Sequence, residues 1–419
     1  MSRDTAPEDT ADEMQPAVEQ ATPTHETETI SDVMLTLRRR LASGDLGSLP
    51  VIVGIVVIWL IFFLLNERFL SPLNVTNLVL QMAGAGTIAV GIVLVLLLGE
   101  IDLSVAQVSG FTAAIMAVLN VNQGLPGPVA ILGALAAGLA IGLFNGFWVT
   151  RFRVPSFVVT LAGFLAWQGA QLYVLGATGT LNISDTSITF LAREFLPKAA
   201  GWIVAVAVVA IYAAIRLAER RRRASAGLPS SPMWLLVTKV GAIAALAVGV
   251  VAFLNRDRGF PIALLILLTL VIVFDVITRR TRWGRHVFAV GGNAEAARRA
   301  GISTTGIRVS VFAIASTLAA FGGVILAARL LAVNQSSGGG DLLLEVIAAA
   351  VIGGTSLFGG RGTVWAALFG ALVIQSITNG INLLGYASSI RFMVTGGVLL
   401  LAVTVDAISR RSRAQAGLS

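Results

Sequence analysis

Cysteine is absent from the 419 residues, which excludes disulfides, thiolate nucleophiles and Cys-ligated metals. Histidine occurs only as His25 and His286, both outside the apolar stretches, so no membrane segment offers a His base or a His metal ligand. Lysine is as scarce, present only as Lys198 and Lys239. A Walker-type phosphate loop needs a Gly-Lys pair in a Gly-rich turn, because the Lys must reach the phosphates. Neither lysine has that setting, so the chain cannot hydrolyse ATP by that route. Charge is thin throughout: 12% of residues are charged, against about 25% in soluble domains. Too little polar surface remains to cover a water-soluble globule of this length.

What is abundant is apolar length. Hydrophobic residues make up 56% of the chain, and mean hydropathy is +0.85. They fall in blocks close to the roughly 20 residues that cross a bilayer. The sequence predicts an all-α polytopic membrane protein of about twelve spans, near 49–65, 79–98, 104–120, 128–149, 156–176, 200–216, 234–253, 261–277, 307–327, 342–358, 364–383 and 390–408. Some are short and Gly-interrupted, as re-entrant and broken helices are. The 44 glycines otherwise read as close helix packing. The membrane domain is expected over 46–410, with a short cytoplasmic tail at 411–419. Residues 1–45 form an expected acidic cytoplasmic tail. Residues 1–32 of it hold nine acids against Arg3 and almost no large apolar side chains, so this stretch cannot bury a core and is expected to be disordered.

Basic residues set the orientation, because cytoplasmic loops retain Lys and Arg. With the N-terminus inside and the spans alternating, 23 basic residues fall inside, among them Arg220 to Arg223, Arg279, Arg280 and Arg410. Only seven fall outside: Arg68, Arg193, Lys198, Arg256, Arg258, Arg329 and Arg391. Both termini are therefore expected in the cytoplasm. The net charge of +8 follows from topology and does not ask for nucleic acid. The largest inside loop, 278–306, reads TRRTRWGRHVFAVGGNAEAARRAGISTTG. Asn293 can cap a short helix over 294–300, Glu295 suits its first turn, and Gly301 can end it.

Polar groups at or near membrane depth form a second set. An acid at the bilayer centre costs roughly 2.5–3.5 kcal/mol on insertion scales, so Glu100 and Asp102 belong at a water boundary or a wet cavity. There they either line a path or cap the next span through Asp102 or Ser104. Asp341 and Glu345 open the tenth span, where the helix dipole alone would favour them. Asn145, Gln168, Gln171, Gln375, Asn379 and Asn382 are neutral hydrogen-bonding groups of the kind sugar hydroxyls require. They serve equally well as interhelical bonds of about 0.6 kcal/mol each. The path candidates are Glu100, Asp102, Ser104, Asn145, Gln168, Asp341, Glu345 and Asn379.

Glu295-Ala296-Ala297, three further residues and then Gly301 match the E-A-A-x-x-x-G core of the loop through which ABC importer permeases contact their ATPase. The I-x-L-P element usual downstream is missing, which departs from the maltose-type pattern. Five further stretches, GEIDLSVAQVSG (99–110), GLFNGFWVTRFRVPSFVVTLAG (142–163), GRHVFAVGGNAEAARRAGI (284–302), EVIAAAVIGGTSLFGGRGT (345–363) and ITNGINLLG (377–385), stand in family order over about 290 residues. With them the chain resembles the ribose/xylose/arabinose class of bacterial monosaccharide ABC permeases. Two added spans near 200–258, outside the ten-helix core, make it most similar to the xylose-transport permeases. The resemblance implies an inner-membrane subunit, embedded in lipid and paired with a second copy of itself. Its partners would be a cytoplasmic ATPase, which holds the ATP and Mg that this chain does not bind, and a periplasmic sugar-binding protein. Asn293, Glu295, Ala296, Ala297, Arg298, Arg299 and Gly301 would form the ATPase contact. The competing reading is an ion-coupled secondary transporter, which places ionisable groups in mid-span; here the acids stand at span edges.

Reporter fusions after Arg223 and after Arg413 should report cytoplasm, and a fusion near Arg256 should report periplasm. A cytoplasmic signal at Arg256 would defeat the topology.

Overall fold

The structure, a computed structural model, describes residues 49–227 and 232–415. The expected acidic tail over 1–45 and the last residues, 416–419, lie outside the described residues. The described chain is almost wholly helical, with two small two-stranded sheets. Nine of its described helices are long and apolar enough to cross a membrane. They are α2 (Pro72–Leu97), α3 with its π-helical extension (Val105–Asn122), α4 (Gly127–Arg151), α5 (Ser156–Leu175), α7 (Lys198–Ser225), α8 (Met233–Leu254), α9 (Ile262–Arg280), α12 (Thr304–Leu330) and α14 (Trp365–Leu383). Three more apolar helices are shorter in their apolar part: α1 (Leu49–Leu65), α13 (Leu342–Ile352) and the start of α15 (Ser388–Gln415).

The bundle is built around α2, whose most apolar window is 94% buried, against 6% for α8. Hydrophobicity does not separate these two helices; partners do. Helices α12, α14, α13 and α9 all pack on α2, and α12 also lies along α4 and α3. Small residues let the backbones approach. Gly138, Gly142 and Gly146 recur every fourth residue on α4, so they form one stripe on its surface. A Cβ at these positions would meet Ser316, Phe312 and Val309 of α12. Gly84 of α2 and Gly322 of α12 face each other in the same way. Lipid tails are as apolar as leucine, so these helices are held by close packing.

The tenth span departs from expectation. Instead of a helix over 342–358, α13 stops at Ile352. Its 11 residues rise only about 16 Å, half of a hydrocarbon core about 30 Å thick. Gly354, Gly359, Gly360 and Gly362 have positive φ in the turn that follows. The Gly360 N–H donates to the Leu97 carbonyl at the end of α2 (2.9 Å). The span is therefore completed by irregular backbone, which a membrane tolerates only where protein or water covers it.

The inside loop departs too. Before the expected short helix it contains another, α10 (Arg282–Gly292), capped by the Thr281 hydroxyl accepting from Gly284 N–H (3.1 Å). The short helix follows as α11 (Ala294–Arg299). The stretch 177–199 is structured as well. Strand β1 (Thr180–Asn182) pairs antiparallel with β4 (Ala332–Asn334). Strand β2 (Phe195–Leu196) pairs with β3 (Phe260–Pro261). Between β1 and β2, helix α6 (Thr186–Arg193) is capped by Asp185, which also accepts from Asn120 Nδ2 and Gly127 N–H.

Two glycine substitutions separate packing from propensity. Gly142→Ala places a methyl against the α12 backbone and should destabilise the detergent-solubilised chain by about 1–3 kcal/mol. At Gly169, mid-helix with open space around it, alanine should stabilise by roughly 0.5–1 kcal/mol. Thermal unfolding midpoints of both variants check the opposite signs.

Candidate functional site

Three polar assemblies sit at different depths of the bundle. The first is the α10–α11 loop. The Asn293 side chain accepts from Ala296 N–H (2.9 Å), as the sequence predicts for a cap. Gly301, at φ +82°, ends the short helix in a left-handed turn that a side chain would oppose. Glu295 reaches Arg298 (2.9 Å) and Arg299 (3.2 Å) on the next turn, and the Arg298 hydrogen bond holds its carboxyl below the usual range. Asn293, Glu295, Ala296, Arg298 and Arg299 are exposed, while Ala297 is buried in the chain's own core. Ala297 thus fastens the helix from behind, and its neighbours form the outward face.

This loop is joined to the bundle at one junction. Gly291 of α10 lies so close to the Leu97 carbonyl of α2 that any Cβ there would collide with it. The Gly359–Gly360 turn after α13 packs on the same spot. The Trp283 indole donates to Ser310 of α12 (2.9 Å), and Arg308 of α12 pairs with Glu100 just past α2 (3.0 Å). Sequence reasoning found Glu100 and the loop but not this junction. The apolar spacing Trp283, Val287, Val290 after a Thr cap was its legible trace.

The second assembly is the link between α2 and α3. Asp102 Oδ1 accepts from both the N–H (2.8 Å) and the hydroxyl (2.7 Å) of Ser104, the residue at the N-cap position of α3, and so fixes the turn that enters the helix. Asn145 of α4 donates to the Ser104 hydroxyl (3.2 Å). From α5, the Ser156 and Thr160 hydroxyls accept from the N–H groups of Ile101 (3.2 Å) and Leu103 (3.0 Å). Asp102 is 1% exposed. Asp102 Oδ2 and Asn145 Oδ1 have no partner among the described residues. Burial pushes the Asp102 carboxyl up, against the hydrogen bonds from Ser104.

The third assembly is built on α13 and α14. Glu345, in the first turn of α13, accepts from Gln375 Nε2 (2.9 Å) and the Thr378 hydroxyl (3.2 Å), both on α14. Asp341 pairs with Arg391 at the start of α15 (2.8 Å). Asn74 of α2 donates to Asn379 (2.8 Å). Gln171 is spent on the Asn334 (2.9 Å) and Ser337 (2.8 Å) carbonyls of the loop between α12 and α13. Gln168, a path candidate by residue type, is exposed on α5 and enters none of the three assemblies. Glu345 was found by type alone. Gln375 and Thr378, three apart and so on one face, identify its partners.

A family model described as branched-chain amino acid transport system / permease component matches residues 74–403. The chain is 37% identical over 373 residues to the xylose transport system permease protein of Haemophilus influenzae, covering 89% of this chain and 99% of that one. It is 37% identical to its counterpart in Escherichia coli strain K12, covering 88% and 94%. It is 31% identical to the ribose import permease protein of Bacillus subtilis, covering 87% and 94%. No solved structure matches the chain.

The Asp102 carboxyl gives a pH test. With a raised folded pKa, the folded state holds its proton more tightly than the unfolded chain does. Stability is then full below the unfolded value of about 3.9 and falls as pH rises from there toward the folded value. Asp102→Asn removes that loss, so its thermal midpoint should gain on the wild type as pH rises through this window. A constant difference across pH would contradict the assignment.

Proposed function

We propose that this chain, which belongs to the permease-component family described for branched-chain amino acid transport systems, is the membrane subunit of an ATP-driven importer that carries a monosaccharide delivered by a periplasmic binding protein. It is a multi-pass membrane protein of the sugar-permease kind and does not itself catalyse a reaction. The observation that carries the reading is the 37% identity to xylose permease proteins over nearly the whole chain. The family description names amino acids, so the substrate class rests on these relatives, and D-xylose or a related pentose is the cargo proposed.

In this reading the three short apolar helices join the nine long ones as twelve spans with both termini cytoplasmic. Helices α7 and α8 form a hairpin added to a ten-helix core. Two copies of the chain enclose the path and bind a cytoplasmic ATPase pair, which supplies ATP and Mg. The outward face of α11 docks on the ATPase. Movement there passes through Gly291 and the Glu100–Arg308 pair to the end of α2 and to the broken span behind α13. Glu100, Asp102, Ser104 and Asn145 on the inner side, and Asp341, Glu345 and Asn379 on the outer, are the groups such movement would rearrange. The rival, an ion-coupled transporter, predicts uptake that stops when the proton gradient is dissipated; the importer predicts uptake that follows ATP.

Ala296→Trp adds bulk on the exposed face of α11, and Gly301→Val forces a β-branched residue into φ +82°. Both variants should insert into the membrane. In reconstituted complexes both should lose the ATP hydrolysis stimulated by sugar-loaded binding protein. Ala297→Trp, aimed at the core, should instead lower the thermal stability of the permease itself. Full stimulation in Ala296→Trp and Gly301→Val would show that this loop is a solvated connector.

A further inference from the structure

The hairpin of α7 and α8 carries a feature that transport does not use. At the inner end of the hairpin, Arg216, Arg220 and Arg223 of α7 and Lys239 of α8 line one cleft, floored by Leu235 and Leu236. Glu219 is the acid in it, and it is already engaged by Arg216 (3.0 Å) and by Arg280 at the end of α9 (3.1 Å). Arg220, Arg223 and Lys239 form no ion pair among the described residues. Arg220 Nη1 is buried there without a hydrogen-bond partner.

The cleft lies on the same side as the α10–α11 loop, because Arg280 leads directly into α10. It also lies at the membrane boundary. The apolar run of α7 ends at Arg216, and Tyr212 stacks one turn earlier beneath its guanidinium (5.2 Å). Exposed Trp234 marks the start of α8. Aromatic residues at such a level mark the headgroup region. Retention of basic residues on the cytoplasmic side explains why these charges exist. It does not explain why four of them converge between two helices, with a guanidinium nitrogen removed from water and unsatisfied. A buried donor in that state costs about 1–3 kcal/mol unless an acceptor is supplied.

We propose that this cleft binds the phosphate of an anionic phospholipid of the cytoplasmic leaflet, with Arg220, Arg223 and Lys239 as its ligands and Leu235 and Leu236 against the start of its acyl chains. A phosphodiester fits for three reasons. It is an oxyanion that arginine meets with paired N–H groups, it arrives at this depth already in the membrane, and its chains cover the apolar floor. The lipid also fills a mechanical need. The hairpin is barely packed on the bundle, with 11% and 6% of its two apolar windows buried. A bound lipid would tie α7 to α8 beside the Glu219–Arg280 bridge.

The test uses the full chain in nanodiscs of mixed phosphatidylglycerol and phosphatidylcholine, with native mass spectrometry counting the lipids retained on release. The wild type should keep phosphatidylglycerol over phosphatidylcholine. The triple variant Arg220→Gln/Arg223→Gln/Lys239→Gln should lose about a hundredfold in apparent affinity, the scale expected for three basic groups near the surface. Arg151→Gln/Arg153→Gln, which removes exposed positive charge elsewhere on the same side, should retain the lipid as the wild type does. Equal retention by triple variant and wild type would overturn the proposal. So would equal loss in the control variant, which would indicate diffuse attraction only. Displacement of lipid from the wild type by inorganic phosphate would overturn the lipid assignment in favour of a soluble anion. Should the triple variant fail to fold, the headgroup preference of the wild type decides: no preference for phosphatidylglycerol ends the proposal.

Discussion

The approach of α12 to α2 and α4 is the contact on which the other features depend. No hydrophobic drive operates between helices already surrounded by hydrocarbon, so the bundle is held by dispersion at short range and by the few polar bonds it encloses. Gly84, Gly322 and the Gly138–Gly142–Gly146 stripe make that range short. They also make it unforgiving, since most of the atoms a new Cβ would meet there are backbone. With α2 enclosed in this way, both of its ends become fixed points. Its first turn carries Asn74 bonded to Asn379, and its last carries Leu97 under Gly291 and Gly360.

Three distant segments converge on the Leu97 end of α2. The loop helices, the turn of the broken span and the Glu100–Arg308 pair all reach it. That pair is mostly withdrawn from water, with the Glu100 side chain 15% exposed. The Asp102 network a few residues on is different in kind. It is buried, it fixes the turn into α3, and it leaves two acceptors unpaired. Such groups tie the state of the link to its protonation and to any donor that comes within reach.

The helices divide by how much of their surface meets protein. Around the enclosed α2, the helices α12 and α14 are mostly buried, while α5, α7 and α8 show most of their apolar surface. The α7–α8 hairpin is therefore loosely attached: β2–β3 and the Asn255–Lys198 bond close its base, and Glu219–Arg280 ties it to α9.

Class and most helix positions were legible in the sequence because they follow from composition and local length. A block such as 49–65 or 156–176 has to become a helix in hydrocarbon, where every backbone group needs an internal partner. The Asn293 cap and the Gly301 stop were equally local, set by side chains within a turn of the residues they serve. The tertiary structure decided what local pattern could not carry. Residues 342–358 are apolar enough to look like one span, yet the helix breaks at Gly353 because the Gly turn beyond it closes on Leu97, some 260 residues earlier in the chain. Ala297 and Ala296 are alike in sequence, but packing puts one in the core and the other outside. Gln171 and Gln168 differ only by which face of α5 meets a neighbour. A side chain's type states what bonds it can make, and only the arrangement of distant segments states which bond it does make.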